Sequence, residues 1–216
     1  MSTYRDGLPQ MQNRIFLTDG GLETSLIFHQ GIELPHFASF HLMRDAEGCA
    51  KLTDYSRPFL ATARSGGYGF ILDTPTWRAN ADWGEKLGYS AEALAAVNRQ
   101  AVALMDELRA QYVGDDFPIV LSGAIGPRGD GYVAGDVMSV SEAEAYHSAQ
   151  IDSFADSNAD MVTAFTMNNV PEATGITRAA KRANIPVAIS FTVETDGRLP
   201  AGQSLREAIE AVDEQT

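Results

Sequence analysis

The run best suited to chemistry is Phe16-Leu17-Thr18-Asp19-Gly20-Gly21-Leu22-Glu23-Thr24. An apolar pair of strand type leads into an acidic, glycine-paired turn, so the Asp19 carboxylate projects at the strand's C-terminal rim. Gly20 and Gly21 permit backbone angles and close approach that a Cβ would forbid. Glu23 and Thr24 fall at a helix start, where exposed N–H groups favour negative partners. In parallel α/β proteins that rim is where ligands bind. Asp and Gly also serve ordinary tight turns, so the meaning of this one depends on the other rims.

Four more apolar runs end in small or polar residues. They lead to Asp73-Thr74-Pro75-Thr76-Trp77, to Ser122-Gly123-Ala124-Ile125-Gly126-Pro127, to Thr166-Met167-Asn168-Asn169, and to Thr192-Val193-Glu194. None continues into a GxGxxG fingerprint or a GxxxxGK[ST] loop, which excludes the usual dinucleotide and nucleoside-triphosphate cradles. The glycine-rich segment 127–136 could hold an anion through backbone N–H groups. Its own Asp130 and Asp136 disfavour phosphate there, and it reads as a lid or rim loop.

Helices must alternate with these strands to position the rims. Apolar residues recur at helical spacing from Cys49 to Ser65 (Leu52, Tyr55, Phe59, Leu60, Ala63), and Gly66-Gly67 stop that helix. A strong amphipathic helix is expected over 90–112 with Ser90 as N-cap. The loop VGDDF then leads to the third strand. Further helices are expected over 141–157, capped by Ser141 with Glu144 three residues on, over 171–183, and from Ser204 onward. Residues 25–48 read as short helical pieces broken at Gly31 and Pro35. Five strand–loop–helix units without hairpins indicate a right-handed parallel α/β fold. Polar side chains spread over five separate rims favour a (β/α)8 TIM-barrel type over an open doubly wound sheet. Residues 1–15 form a lead-in, expected to be loosely held, and 16–216 the barrel domain.

Composition bounds the partners. The 216 residues are 44% hydrophobic and 21% charged, ordinary for a globular chain that buries a substantial core. A formal net charge of −13 argues against nucleic acid or an anionic membrane surface, which need clustered Lys and Arg. A single cysteine, Cys49, excludes an internal disulfide framework. The first residues lack the apolar core of a signal peptide and no apolar run spans a bilayer, so a cytoplasmic location is expected.

Taken together, the rims resemble the homocysteine S-methyltransferase family, which includes betaine- and S-methylmethionine-dependent enzymes. Thr18-Asp19-Gly20-Gly21 resembles its first-strand turn and Asp73-Thr74-Pro75-Thr76-Trp77 its second-strand element. Ser122 to Pro127 resembles the third-strand signature, Tyr146-His147-x-x-Gln150 the helix motif before strand four, and Ser190-Phe191-Thr192 with Asp196-Gly197 the fifth-strand elements. The resemblance implies methyl transfer from an onium donor to the thiol of homocysteine or a related acceptor, in methionine metabolism. Zinc would lower the thiol pKa and deliver a thiolate. By the same resemblance, Asp19 contacts the acceptor amino acid beside the Gly20 and Gly21 backbone. Thr74 and Thr76 line the mouth, and Trp77 packs on the donor's onium methyls by cation–π attraction.

Two departures qualify this expectation. The family's zinc ligands are three cysteines after strands six and eight. Here Cys49 and the scattered His29, His36, His41 and His147 make a poor substitute for the three protein ligands that zinc needs. A barrel of this type typically needs about 250 residues. The chain is therefore expected to be an N-terminal portion with five βα units, without the zinc site and inactive alone. Phe165 also occupies the position where the family usually has a Glu for the substrate ammonium. That contact must then come from elsewhere, with Asp73 and Glu194 as the candidates. A non-catalytic amino-acid-binding protein and a barrel lyase or pterin-binding relative are the alternatives. His147 is expected to be structural.

Overall fold

The computed structural model describes residues 2–112 and 116–215. Five parallel strands form one sheet in the order β1-β2-β3-β4-β5. They are β1 (Phe16–Leu17), β2 (Gly69–Asp73), β3 (Ile119–Ile125), β4 (Met161–Met167) and β5 (Val187–Phe191). Each strand pairs with the next one in the chain, so the order never reverses. Right-handed crossovers repeated without reversal leave every connecting helix on one face and curl the sheet. A doubly wound sheet would instead reverse at a switch point. The fold is α/β of the TIM-barrel type, present here as a curled five-stranded segment.

The helices on the convex face begin where side chains satisfy the free N–H groups of a first turn. After the three-residue α1 (Leu22–Thr24) and short helical turns to Arg44, Asp45 caps α2 (Ala46–Ser65), accepting from Gly48 N at 2.8 Å. Asn80 caps the short α3 (Ala81–Lys86), and Ser90 caps α4 (Ala91–Ala110), accepting from Ala93 N at 3.2 Å. The capping box of α5 (Val140–Ala155) is Ser139 with Glu142, two residues ahead of the expected Ser141 and Glu144. Both frames place Glu three residues after Ser, and the path of the incoming loop selects the earlier one. Asn169 caps α6 (Val170–Arg182), with Pro171 in the tolerated first turn. The last helix is α7 (Leu205–Gln215). The VGDDF connection falls largely outside the described residues.

The core lies between sheet and helices. Phe70, Leu72, Leu121, Ile151, Phe154, Ile176 and Leu108 are buried there. Along β2 the alternation is visible: Phe70 and Leu72 are buried, whereas Ile71 and Asp73 keep some exposure on the other side. No helix among the described residues is long and apolar enough to cross a membrane.

The lead-in is not loose. Thr3 N and Tyr4 N both donate to Asp160 Oδ1 at 2.7 Å, just before β4. Arg5 donates to the carbonyls of Ala155 (2.9 Å), Ser157 (3.0 Å) and Ala159 (2.7 Å). Its polar composition suggested a free segment, but those polar groups are spent on carbonyls about 150 residues away in sequence, a pairing no local pattern reveals.

Candidate active site

The C-terminal ends of β1 to β4 open into a cavity of about 550 Å³. The β1 rim contributes Thr18, Asp19, Gly21 and Glu23, and the β2 rim contributes Asp73, Thr74, Trp77 and Arg78. Phe165 and Thr166 come from β4, Ala124 from β3, and Asp130 and Tyr132 from the loop after β3, with Phe37 at the mouth.

Three carboxylates here are partly buried, and each titrates above its ordinary range. Burial raises Asp19, against a lowering contact from Tyr55. Burial also raises Glu23, helped by the Asp19 charge, although Ser39 Oγ donates to Glu23 Oε1 at 2.6 Å. Asp73 is pushed up to about 7 by burial, with Ser122 opposing and Asp19 adding to the shift. Asp73 Oδ1 is shut off from solvent and has no hydrogen-bond partner. Like charges crowded at low dielectric favour a cation between them.

The bulge in β4 shapes the opposite wall. Its pairing with β5 shifts register between Ala164 and Met167, and Thr166 sits at φ 56°. Consecutive strand residues normally face opposite sides, but here Phe165 and Thr166 both line the cavity. A β-branched residue in the left-handed region is strained, and such strain concentrates at functional sites.

The candidate residues do not share one environment. Asp19, Gly21, Asp73, Thr74 and Trp77 meet in the cavity. Gly20 lies behind that wall, with the Phe59 ring 3.6 Å from where its Cβ would stand. Thr76 is fully buried; its Oγ1 stands 2.6 Å from Thr74 Oγ1 and donates to Ala124 O at 2.7 Å, so it braces the rim. Glu194 lines a separate, more open depression with Asp196, Arg198 and Pro200, which shares only Tyr132 with the main cavity. Trp77 is held by its Nε1 donating to Thr166 at 3.2 Å, and the Arg78 guanidinium lies 4.5 Å from its ring centroid. An onium group approaching that face of Trp77 would meet a like charge. Gly126 accepts this packing because a Cβ there would fall 2.2 Å from Trp77 O.

The Tyr146-His147-x-x-Gln150 motif acts from behind the rim. Tyr146 donates to Asn80 Oδ1 at 3.0 Å, and Gln150 Nε2 donates to Thr76 O at 3.0 Å. The buried His147 places Nε2 2.9 Å from Glu172 Oε1, and Glu172 also accepts from Arg128 N at 2.7 Å. The imidazole does not line the cavity. In the loop after β3, Tyr132 N and Val133 N donate to Asp130 Oδ1 at 2.8 and 3.0 Å, so its anion cradle is filled by its own carboxylate. Asn168 and Thr192 tie this loop across the rim through bonds to Asp130 O (2.7 Å) and Gly131 O (2.8 Å).

Sequence reasoning did not select Arg78, Glu23, Asp130, Tyr132, Phe37 or Thr166 as site residues. Glu23 and Arg78 adjoin the motifs that were selected, which is the one signal available for them.

The zinc implied by the resemblance was tested against these residues. Among the described residues no group of three His, Cys, Asp or Glu stands close enough to hold a metal ion. Cys49 lies on α2 with Sγ 3.9 Å from Met43 O, its thiol raised by burial and then by Asp45. The residues described here do not fit a zinc centre.

Known proteins place the fold and the family. A search of curated proteins finds no match. Among solved structures, the oxidized form of the homocysteine methyltransferase MmuM from Escherichia coli superposes with a TM-score of 0.76 at 19% identity, covering 95% of this chain and 72% of that one. Its metallated form gives a TM-score of 0.72 at 19% identity over 94% and 72% of the two chains. At such identity the likeness establishes the fold. The family model described as homocysteine S-methyltransferase matches residues 16–216, and the chain therefore belongs to the homocysteine S-methyltransferase family.

Proposed function

We propose that this protein serves methyl transfer from an onium donor, such as S-methylmethionine or betaine, to the thiol of homocysteine or a related acceptor. The acid-lined cavity behind the Asp19-Gly20-Gly21 turn is the observation that carries this reading. In the transfer, the acceptor sulfur forms a bond to the methyl carbon as the bond to the donor's onium atom breaks. The donor leaves as a neutral thioether or amine, and the thiol proton is released. Asp19 holds the acceptor's ammonium, and the β2 rim with Thr74 and Trp77 walls the pocket. Bound donor and acceptor are thereby aligned for displacement, which is the main source of rate in such a reaction. Acidic walls also suit a cationic donor, whose charge is lost as the methyl leaves. No step is assigned to zinc, because the residues described here do not hold it, and the chain alone is expected to bind substrate without turning it over.

Calorimetric titration of the purified chain with homocysteine and with methionine, each with and without zinc, tests the reading. Homocysteine should bind, and Asp19→Asn should weaken it about 10-fold or more, the worth of one charge-assisted hydrogen bond. No binding of either amino acid under any condition would overturn the proposal. Equal, zinc-independent binding of methionine and homocysteine would favour a non-catalytic amino-acid-binding role.

A further inference from the structure

The face of Trp77 that would attract a cation is already taken. The Arg78 guanidinium carbon lies 4.5 Å from the Trp77 ring centroid and 3.8 Å from that of Trp83. Lys86 Nζ stands at the same 3.8 Å from Trp83, so that ring carries two cations and has no face left for a third. Nor can Trp77 turn away from the guanidinium. Its Nε1 donates to Thr166 Oγ1 at 3.2 Å, and the backbone after β3 is packed against its indole. A Cβ on Gly126 would stand 2.8 Å from Trp77 Cδ1, and one on Gly131 would stand 3.2 Å from Trp77 Cζ2.

Stacking, not pairing, holds Arg78 in this place. The residue is 7% exposed and lines a cavity that also contains Asp19, Glu23, Asp73 and Asp130. Among the described residues it forms no ion pair, and Asp130 and Glu23 act on it only as charges at a distance. Its one hydrogen bond is long, Nη1 to Gly129 O at 3.4 Å, and its Nε is buried without an acceptor. A guanidinium normally spends its five N–H donors on carboxylate or carbonyl oxygens. This one rests chiefly on aromatic faces, which attract any cation, including one with no N–H to donate. A quaternary ammonium or a sulfonium drawn in by the acidic walls would seek the same rings.

We propose that Arg78 is a resident cation that closes the Trp77–Trp83 aromatic site to small onium groups, and so decides which cationic ligands the cavity accepts. An onium ligand gains the Trp77 face only by displacing the guanidinium, and it meets a like charge until it does. The inference rests on reading the cavity as one that receives an onium donor, but it depends on neither the acceptor nor methyl transfer.

The test uses tetramethylammonium, which offers a charge and methyl groups but no hydrogen bond. Trp77 and Trp83 are the two tryptophans of the chain, so intrinsic fluorescence reports on this site alone. Arg78→Met and Arg78→Gln should bind tetramethylammonium about 10-fold or more tighter than wild type, with a saturable fluorescence change. Arg78→Lys, which keeps a cation beside the rings, should gain little. Adding Trp77→Leu to Arg78→Met should abolish the gain; a gain that survived would come from lost repulsion alone and would overturn the aromatic site. The proposal is also overturned if a cooperatively folded Arg78→Met binds no tighter than wild type, or if Arg78→Lys gains as much as Arg78→Met. Saturable binding to the wild-type chain below about 1 mM would overturn it without any variant. Failure of this series with homocysteine still bound would leave the methyl-transfer reading standing. The expected series without homocysteine binding would count against that reading alone.

Discussion

The hydroxyls of Thr74 and Thr76 stand 2.6 Å apart, and between them they secure the β3 backbone on both sides of one residue. Ala124 N donates to Thr74 Oγ1 at 3.0 Å, and Ala124 O accepts from Thr76 Oγ1 at 2.7 Å. Two neighbouring rims are thus joined by side chains just where the β2–β3 ladder ends. Thr76 is fully buried and lies outside the cavity lining. Thr76→Val keeps the shape but leaves Ala124 O without its donor. The expected loss is about 1–3 kcal/mol, the cost of an orphaned buried polar group. Urea denaturation reads it directly, and an unshifted midpoint with unchanged slope would show that the hydroxyl is dispensable.

Asp73 should cost the fold stability at neutral pH. Its carboxyl titrates at about 7 in the folded chain against an ordinary 3.8. Between those values the native state binds more protons than the unfolded state, so stability falls as pH rises through the window. The full linkage is roughly 4 kcal/mol, and solvent reaching Asp73 from the cavity reduces it to about 2 kcal/mol. Asp73→Asn should therefore be more stable than wild type at pH 8, with the gap closing as pH falls toward 4. Thermal melts across that range check it; an offset of equal size at both ends would mean the carboxyl is not raised. A gain in stability alongside weaker ligand binding is the usual signature of a functional group held at a cost.

Glu172 behaves in the opposite direction. Burial alone would raise its pKa, but His147, Arg128 N and Asn169 together hold it below the ordinary 4.5. A depressed carboxyl contributes stability that is present above its unfolded pKa and lost as pH falls through its folded one. Because Glu172 accepts at this contact, His147 Nε2 is the donor, and its Nδ1 has no partner. Glu172→Gln should destabilise the chain by about 1–3 kcal/mol at pH 7, the worth of hydrogen bonds to a charged acceptor. The difference should shrink below about pH 4.5. A variant gap that stays constant from pH 7 to pH 3.5 would contradict the assignment.

The strands and their rims were legible because each is a continuous apolar run that ends in polar residues, the habit of parallel strands, although only β3 is buried along its whole length. Helix positions followed from period and caps, but the cap of α5 was misplaced: Ser139 and Ser141 offer the same Ser-x-x-Glu spacing, and only the loop path decides between them. The six-residue α3 escaped notice because Ala81–Lys86 is too short to show a period. At the site, period-2 logic assigns just one of Phe165 and Thr166 to the cavity, and the β4 bulge defeats that rule. Arg78 was invisible for a different reason. An arginine beside two tryptophans reads as surface, and only the fold turns its guanidinium inward between β2 and the loop after β3.

Asp160 should be the most sensitive acid in the chain. It is fully buried and accepts four bonds, from Thr3 N and Tyr4 N at 2.7 Å, Leu121 N at 2.9 Å and Arg109 Nη1 at 2.8 Å. It lies at the start of β4, on the face opposite the rims, where barrel residues serve stability rather than chemistry. Asp160→Asn replaces one acceptor oxygen with an N–H2 that faces existing donors and leaves the half-buried Arg109 charge paired with Asp106 alone. The expected loss is about 3–5 kcal/mol, with the lead-in released from the barrel. Hydrogen exchange of residues 3–5 should then accelerate, and limited proteolysis should cut there first. If the Asn variant kept both the wild-type melting temperature and slow exchange at Tyr4, the lead-in would owe its position to Arg5 and not to Asp160.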